Sequence, residues 1–322
     1  MHKPSPRPAR PPAHVLLALQ GGGALGAFTW GVLDGLLAHG VAIEAASGAS
    51  AGAVNAVLLA SGLAQGGPEA ARALLAQFWQ RVSQLAMPSW LGDHWLVGSL
   101  LRGPLDLLSP GQLNPLGYDP LRVLLTELVD FERLRHHSPI GLHLSATRVK
   151  DGTARIFTAP ELTLEAVLAS ACLPRLSGSV EIEGEHYWDG GFSANPPLRE
   201  LIWASAARRL IVVELLADAD ALPRATGAIE QRMIELAFAT AYRRELETLE
   251  ALVGLSQRVS ASLSPMARRL RRLDIHRIRV ADHLAASDLG RPLDANRNRI
   301  ARLKEQGQAA ALAWIAQPAR AA

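Results

Sequence analysis

Residues 48–52 read Gly48-Ala49-Ser50-Ala51-Gly52, a G-x-S-x-G pattern. Where a strand ends in a sharp turn and a helix follows, this pattern leaves one serine exposed at the turn as a nucleophile. The small neighbours have a physical role, because the turn crowds the backbone and strains the serine. A chain this rich in Gly, Ala and Ser also produces the pattern by chance, so its surroundings decide. A serine hydroxyl is a weak nucleophile near neutral pH. It needs a base for its proton and N–H donors for the oxyanion formed on attack.

The candidate bases are few. In the order Ser, acid, His, the histidines after position 189 are His276, in an alternating Asp-Ile-His-Arg-Ile-Arg run, and His283, beside Asp282 in a loop. Neither sits in a glycine-marked turn, and a bland structural role suits both, as it does His186 in a hairpin. Asp189 differs. It ends the aromatic stretch Tyr187-Trp188 and precedes Gly190 and Gly191. A carboxylate held at a tight turn with apolar shielding is a better base than a solvated one, since desolvation raises its pKa. A plain Asp-Gly turn is the structural alternative.

Upstream, Gly21-Gly22-Gly23-Ala24-Leu25-Gly26 lies between a strand pattern and a helix pattern. It fits G-x-G-x-x-G through Gly21, Gly23 and Gly26, so dinucleotide binding must be weighed. That reading wants an acidic residue after the second strand, roughly 20 residues on. Glu44 is near that place, but the strand runs straight into the serine turn. The same geometry can instead offer backbone N–H groups and a helix N-terminus to a developing anion, and this use is favoured.

The elements that must position these groups follow from periodicity. Residues 14–19 form a buried-strand run, and 27–37 a helix with Trp30, Leu33, Leu36 and Leu37 on one face. A short strand at 41–43, the serine turn and a buried helix over 53–60 come next. After a break at 64–68, an amphipathic helix covers 69–84. Residues 87–115 are irregular, with four prolines and the apolar Trp90, Trp95, Leu96, Leu100 and Leu101. They read as a mobile apolar cap or as a packed insertion, the latter favoured. Asp119-Pro120 opens a helix to 128. Strands are expected at 140–149, 154–157 and, as a hairpin, 180–188, with a short helix at 164–173 and a core strand at 210–215. Beyond 217 come charged helices at 229–252 and 256–273, a possible edge strand at 274–280 and a closing helix at 298–315. Alternating strands and helices argue for a mainly parallel sheet covered by helices.

Composition narrows the class. The chain has 322 residues, 49% hydrophobic and 20% charged, which suits a globular α/β protein with a sizeable core. The net charge of +3, without finger spacing or a basic-aromatic module, gives no case for nucleic acid. Arg268, Arg269, Arg271 and Arg272 can meet anionic head groups, but a solvated face paired to its own acids is favoured. Cys172 is the only cysteine, so no intrachain disulfide forms, which fits a reducing compartment. Residues 1–13 read as a disordered basic tail without the apolar core of a secretory signal. The uncharged stretch 45–64 is long enough to span a membrane, yet its glycines, serines and Asn55 read better as a buried soluble helix.

Three stretches in order, Gly21 to Gly26, Gly48 to Gly52 and Asp189-Gly190-Gly191, together with Leu168-Ala169-Ser170-Ala171-Cys172-Leu173-Pro174, resemble the patatin-like phospholipase family, in its bacterial branch with a C-terminal extension. The likeness covers about 15–203. It implies a three-layer α/β/α patatin-like fold, with a catalytic domain at 15–203, a cap-like insertion at 86–118 and a strand plus mainly helical extension at 204–322. It also implies a serine acyl hydrolase acting on lipid-like esters without histidine, metal or organic cofactor. Ser50 is then the nucleophile and Asp189 the general base, with Gly22, Gly23 and Ala24 as the oxyanion hole. Many members carry Arg or Lys where this chain has Leu25, so phospholipid is not favoured over neutral ester. The expected partners are a lipid or acyl-ester substrate and, peripherally, a membrane; the expected location is the cytoplasm. A non-catalytic member that binds lipid or protein is the alternative.

Overall fold

The computed structural model describes residues 14–85, 119–216, 222–258, 264–285 and 294–317. The tail expected at 1–13 and the insertion expected at 86–118 lie outside the described residues.

The strands are β1 (Val15–Leu19), β2 (Ile43–Gly48), β3 (Gly141–Arg148), β4 (Ala154–Thr158), β5 (Val180–Ile182), β6 (Glu185–Asp189), β7 (Arg209–Glu214) and β8 (Asp274–Arg279). They form one eight-stranded sheet in the order β5-β6-β3-β2-β1-β7-β8, with β4 also on β3. From β3 through β2, β1 and β7 to β8 every pairing is parallel, while the β3–β4, β3–β6 and β5–β6 pairings are antiparallel. The sheet is therefore mainly parallel, with an antiparallel end. The region after 203 supplies two of the parallel strands, β7 and β8.

Helices cover both faces. They are α1 (Gly26–Ala38), α2 (Ala51–Leu85), α3 (Pro120–Leu128), α4 (Phe131–His137), α5 (Leu164–Ser170), α6 (Pro174–Ser177), α7 (Leu198–Ala204), α8 (Thr226–Arg258), α9 (Pro265–Leu270) and α10 (Arg297–Ile315). Side chains alternate across a strand, and β1 divides accordingly. Val15, Leu17 and Leu19 enter a core shared with α1, α2, α3, α5 and α10. Leu16 and Ala18 enter a second core with α7, α8 and α9. This is the three-layer α/β/α arrangement expected from the sequence.

Several local expectations change. Helix α1 is buried on every side except its last residue, because α10 packs along it so closely that a Cβ on Gly31 would lie 2.1 Å from Lys304 O. Asp34 on α1 ties the layer together, with Arg72 Nε of α2 at 2.7 Å, Lys304 Nζ of α10 at 3.5 Å, and a bond from Gln308 of α10. The second strand starts at Ile43, since Val41 N–H donates to Leu36 O to close α1. Helix α2 takes in both expected helices and is broken at Gly66 and Gly67, just before Pro68. In 256–273 only α8's end and α9 are helical among the described residues. The sequence did not announce α4, capped by Asp130 accepting from Arg133 N–H at 2.9 Å, or the short α7 after Pro197.

Candidate active site

Three loops meet at the carboxyl ends of the adjacent parallel strands β2, β1 and β7, where open α/β sheets place their ligand sites. After β2 the chain makes the serine turn. Ser50 has φ 53°, a left-handed conformation that costs a non-glycine residue of the order of 1 kcal/mol. The flanking glycines are there for space. A Cβ on Gly48 would lie 2.5 Å from Gly52 C, and one on Gly52 would lie 2.0 Å from Leu19 O. The start of α2 thus rests directly on the end of β1. Ser50 is buried to 8% exposure, and its N–H donates to Ser170 O and Ser170 Oγ, both at 3.1 Å.

After β1 comes the glycine loop. Gly23–Leu25 forms a single 3-10 turn that runs into α1. Leu25 N–H is the first to bond back, to Gly22 O at 3.2 Å. The N–H groups of Gly22, Gly23 and Ala24 precede that bond and so have no intrahelical acceptor. The loop lies against the serine, since a Cβ on Gly21 would sit 2.7 Å from Ser50 Cβ. Asn55 of α2 fixes the start of α1: its Nδ2 donates to Gly26 O at 3.0 Å, and its Oδ1 accepts from Trp79 Nε1 at 3.0 Å. Gln20, fully buried, accepts from Leu215 N–H at 2.8 Å and Leu216 N–H at 3.2 Å, clamping the ends of β1 and β7. Leu25 is buried in the core at 3% exposure.

The third loop carries Asp189, and sheet geometry brings it here. Strand β4 pairs with β3 over 143–147, β2 over 141–144 and β6 over 146–148. A strand has two edges, and β4 overlaps both of the others, so β2 and β6 share one edge of β3. β6 takes up the edge where β2 leaves it at Gly48, and β6 ends at Asp189 beside the serine turn. Thr147 Oγ1 donates to Asp189 O at 2.7 Å, and Asp189 N–H donates to Cys172 O at 2.8 Å. The end of α5 and the residues after it therefore hold both Ser50 and Asp189.

Asp189 has no solvent exposure. Its Oδ1 accepts from Gly191 N–H at 2.8 Å, and its Oδ2 has no hydrogen bond within 3.5 Å. Burial pushes the carboxyl up to about 7 from an ordinary 3.8, against the Gly191 N–H and the Ser50 hydroxyl, which both favour the charged form. Helix α8 backs the turn: Phe238 stacks edge-on against Phe192 with ring centroids 4.9 Å apart. Burial lifts the neighbouring Cys172 thiol to about 11, which makes it an inert core group.

Of the sequence candidates, Ser50, Asp189 and the loop from Gly21 to Gly26 converge, and the histidines do not. His276 bonds Asp274 Oδ2 at 2.9 Å and stacks on Trp314, His283 packs on Phe28, and His186 bonds Ser179 Oγ at 3.0 Å. Among the described residues no histidine hydrogen bond reaches Ser50 or Asp189. Sequence reasoning passed over Gln20, Asn55, Ser145, Thr147 and Asn195. Their only signal is polarity inside otherwise apolar or glycine-rich stretches. No group of three or more potential metal ligands occurs among the described residues.

Chemically, the arrangement offers a strained serine, a carboxylate with a raised pKa and a free oxygen, and backbone donors at a helix start. Residues 17–202 match the family model described as patatin-like phospholipase. No curated protein matches the chain. Among solved structures, VipD from Legionella pneumophila is similar at 14% identity and TM-score 0.38, over 92% of this chain and 67% of that one. ExoU in its heterodimeric complex with SpcU, from the type III secretion system of Pseudomonas aeruginosa, is similar at 18% identity and TM-score 0.29, over 82% of this chain and 58% of that one. A second structure, described as the type III effector protein ExoU, gives 17% identity and TM-score 0.29, over 95% of this chain and 79% of that one.

Proposed function

The chain belongs to the patatin-like phospholipase family, and from that membership we propose that it is a serine acyl hydrolase of lipid-like esters working through a Ser50–Asp189 dyad. The observation that carries the reading is the buried Asp189 beside the serine turn, with one oxygen unpartnered and a pKa near 7. A base with that value is half ionised near neutrality and can both take and return a proton.

In this reading Ser50 Oγ attacks the ester carbonyl carbon while its proton passes to Asp189. The carbonyl oxygen becomes an oxyanion facing the N–H groups of Gly22, Gly23 and Ala24, with the N-terminal end of α1 behind them. Collapse breaks the ester C–O bond, the alcohol leaves with the proton from Asp189, and Ser50 holds the acyl group. Water then attacks the acyl-enzyme, giving its proton to Asp189. The fatty acid leaves, and the proton returns to Ser50. We assign this chemistry to the unit 15–203, with Phe238 of the C-terminal part walling the Asp189 turn.

A lipid-like substrate is further supported by α8. Ile229, Met233 and Leu236 stand at i, i+4 and i+7 and are 42%, 64% and 44% exposed, on the helix that packs against the site. We assign this stripe to peripheral contact with a lipid surface. No helix among the described residues is long and apolar enough to cross a membrane.

The test is hydrolysis of p-nitrophenyl esters and of phospholipid vesicles by wild type, Ser50→Ala and Asp189→Asn, with fluorophosphonate labelling of Ser50. Both variants should lose turnover, and labelling should vanish in Ser50→Ala. Wild-type turnover in both variants would sink the dyad. An unlabelled, inactive wild type would point to a lipid- or protein-binding role.

A further inference from the structure

Asn195 stands just past the Asp189 turn and has no part in the steps above. It is fully buried. Its Oδ1 accepts from Gly21 N–H at 2.7 Å, and its Nδ2 has no partner. A buried NH2 without a partner is costly, so the stabilisation at this position comes from the acceptor end. Gly21 is the residue whose Cα backs onto Ser50 Cβ, and it begins the loop that carries the N–H groups of Gly22, Gly23 and Ala24.

The turn on the other side of that bond is rigid. Ser193 N–H and Ala194 N–H donate to Gly190 O at 3.1 and 2.9 Å. Ser145 Oγ donates to Ala194 O at 2.7 Å, and Thr147 Oγ1 bonds Asp189 O and Ser193 Oγ, each at 2.7 Å. The stretch from Asp189 to Asn195 is thus braced on β3 as one piece. Its side-chain bond to the glycine loop is Asn195 to Gly21.

Resting on the reading of Ser50 as nucleophile, we infer that Asn195 is a positioning residue for the reaction: its side-chain carbonyl holds the oxyanion loop, through Gly21 N–H, in register with the turn that carries the base. The amide suits the place because it offers an acceptor without a second buried negative charge near Asp189. Position matters because donors act only when aimed at the oxyanion, and a misplacement of about 1 Å costs on the order of 100-fold in rate.

The experiment compares Asn195→Ala and Asn195→Asp in the full chain. Rates are normalised to active sites counted by fluorophosphonate labelling. Asn195→Ala should lose about 100-fold in kcat per labelled site with KM within about threefold. The pH at which activity falls should not move, since the base is untouched. Asn195→Asp, which keeps an oxygen facing Gly21 N–H but adds a carboxyl near Asp189, should regain most of the lost kcat per site at high pH, with its acid limb moved upward. Equal losses in the two variants on the high-pH plateau, or wild-type kcat per site in Asn195→Ala, overturn the inference, because damage to folding alone lowers the number of sites and not the rate per site. If Asn195→Ala does not fold, Asn195→Ser replaces it, its hydroxyl being too short to reach Gly21. Amide hydrogen exchange over 20–26 decides the matter independently of turnover. Faster exchange in Asn195→Ala than in wild type supports the hold of Asn195 on the loop, which stands even if the hydrolase reading and with it the role in the reaction fail, and unchanged exchange overturns the inference.

Discussion

Replacing Asp189 by Asn should abolish activity and stabilise the protein, and the size of the gain is set by pH. Asn is the isostere of the protonated carboxyl and can still accept from Gly191 N–H, which bonds Oδ1 at 2.8 Å. Burial raises the Asp189 pKa to about 7, from 3.8 in an exposed chain. The folded protein therefore binds this proton more tightly than the unfolded one. Stability from this group is fully present below pH 3.8 and is lost progressively as pH rises through about 7. At 1.36 kcal/mol per pKa unit, the folded state carries a penalty of about 4 kcal/mol once the carboxylate is fully ionised. Asp189→Asn removes it. At pH 8 the variant should exceed wild type by about 4 kcal/mol in urea unfolding, or on the order of 8 °C in Tm, and at pH 4 the two should coincide. In wild type, kcat/KM should fall about tenfold per pH unit below about 7, because the base must be ionised to act. A stability difference independent of pH, or an activity limb near 4, would refute the burial argument and with it the role of Asp189 as a tuned base.

Four further outcomes test the site and its frame. Ser50→Gly should be inactive yet more stable by about 1 kcal/mol in denaturant melts, because glycine adopts φ 53° without strain. His276→Gln and His283→Gln should each keep kcat within about twofold, whereas a loss above about 100-fold in either would restore a triad. Gly52→Ala should lose several kcal/mol or fail to fold, since its Cβ would lie 2.0 Å from Leu19 O, while Gly254→Ala on open helix surface should gain about 0.5–1 kcal/mol. Asp34→Ala should cost about 1–2 kcal/mol in thermal melts by leaving Arg72, Lys304 and Gln308 without their shared partner, a modest loss because Arg72 and Lys304 are part-exposed.

Much of the fold was legible because strands and helices announce themselves by local pattern. The buried run of β1, the Asp119 cap of α3, the Asp151-Gly152 turn between β3 and β4, and the closing helix α10 all followed from neighbouring residues. Where the pattern misled, a long-range partner was responsible. Helix α1 is buried on its whole circumference because α10 covers the side that sequence alone left to solvent. Val41 is apolar and strand-like, yet it closes α1 through Leu36 O.

The sequence by itself determined the candidate reactive groups. A serine between two glycines, a run of glycines before a helix and an aspartate before Gly190-Gly191 are local arrangements that can be read from residue types, and they also carried the family. Only the tertiary structure decided how they act together. Ser50 and Asp189 are far apart in the chain and become neighbours because β2 and β6 share one edge of β3. Burial, not residue type, raises the Asp189 carboxyl to about 7. The polar residues that fix the geometry, Ser170 on the Ser50 N–H and Asn195 on the Gly21 N–H, each gain their meaning from a partner more than a hundred residues away. Hydrogen bonds across such separations leave no periodicity in the chain, and so only the folded molecule shows them.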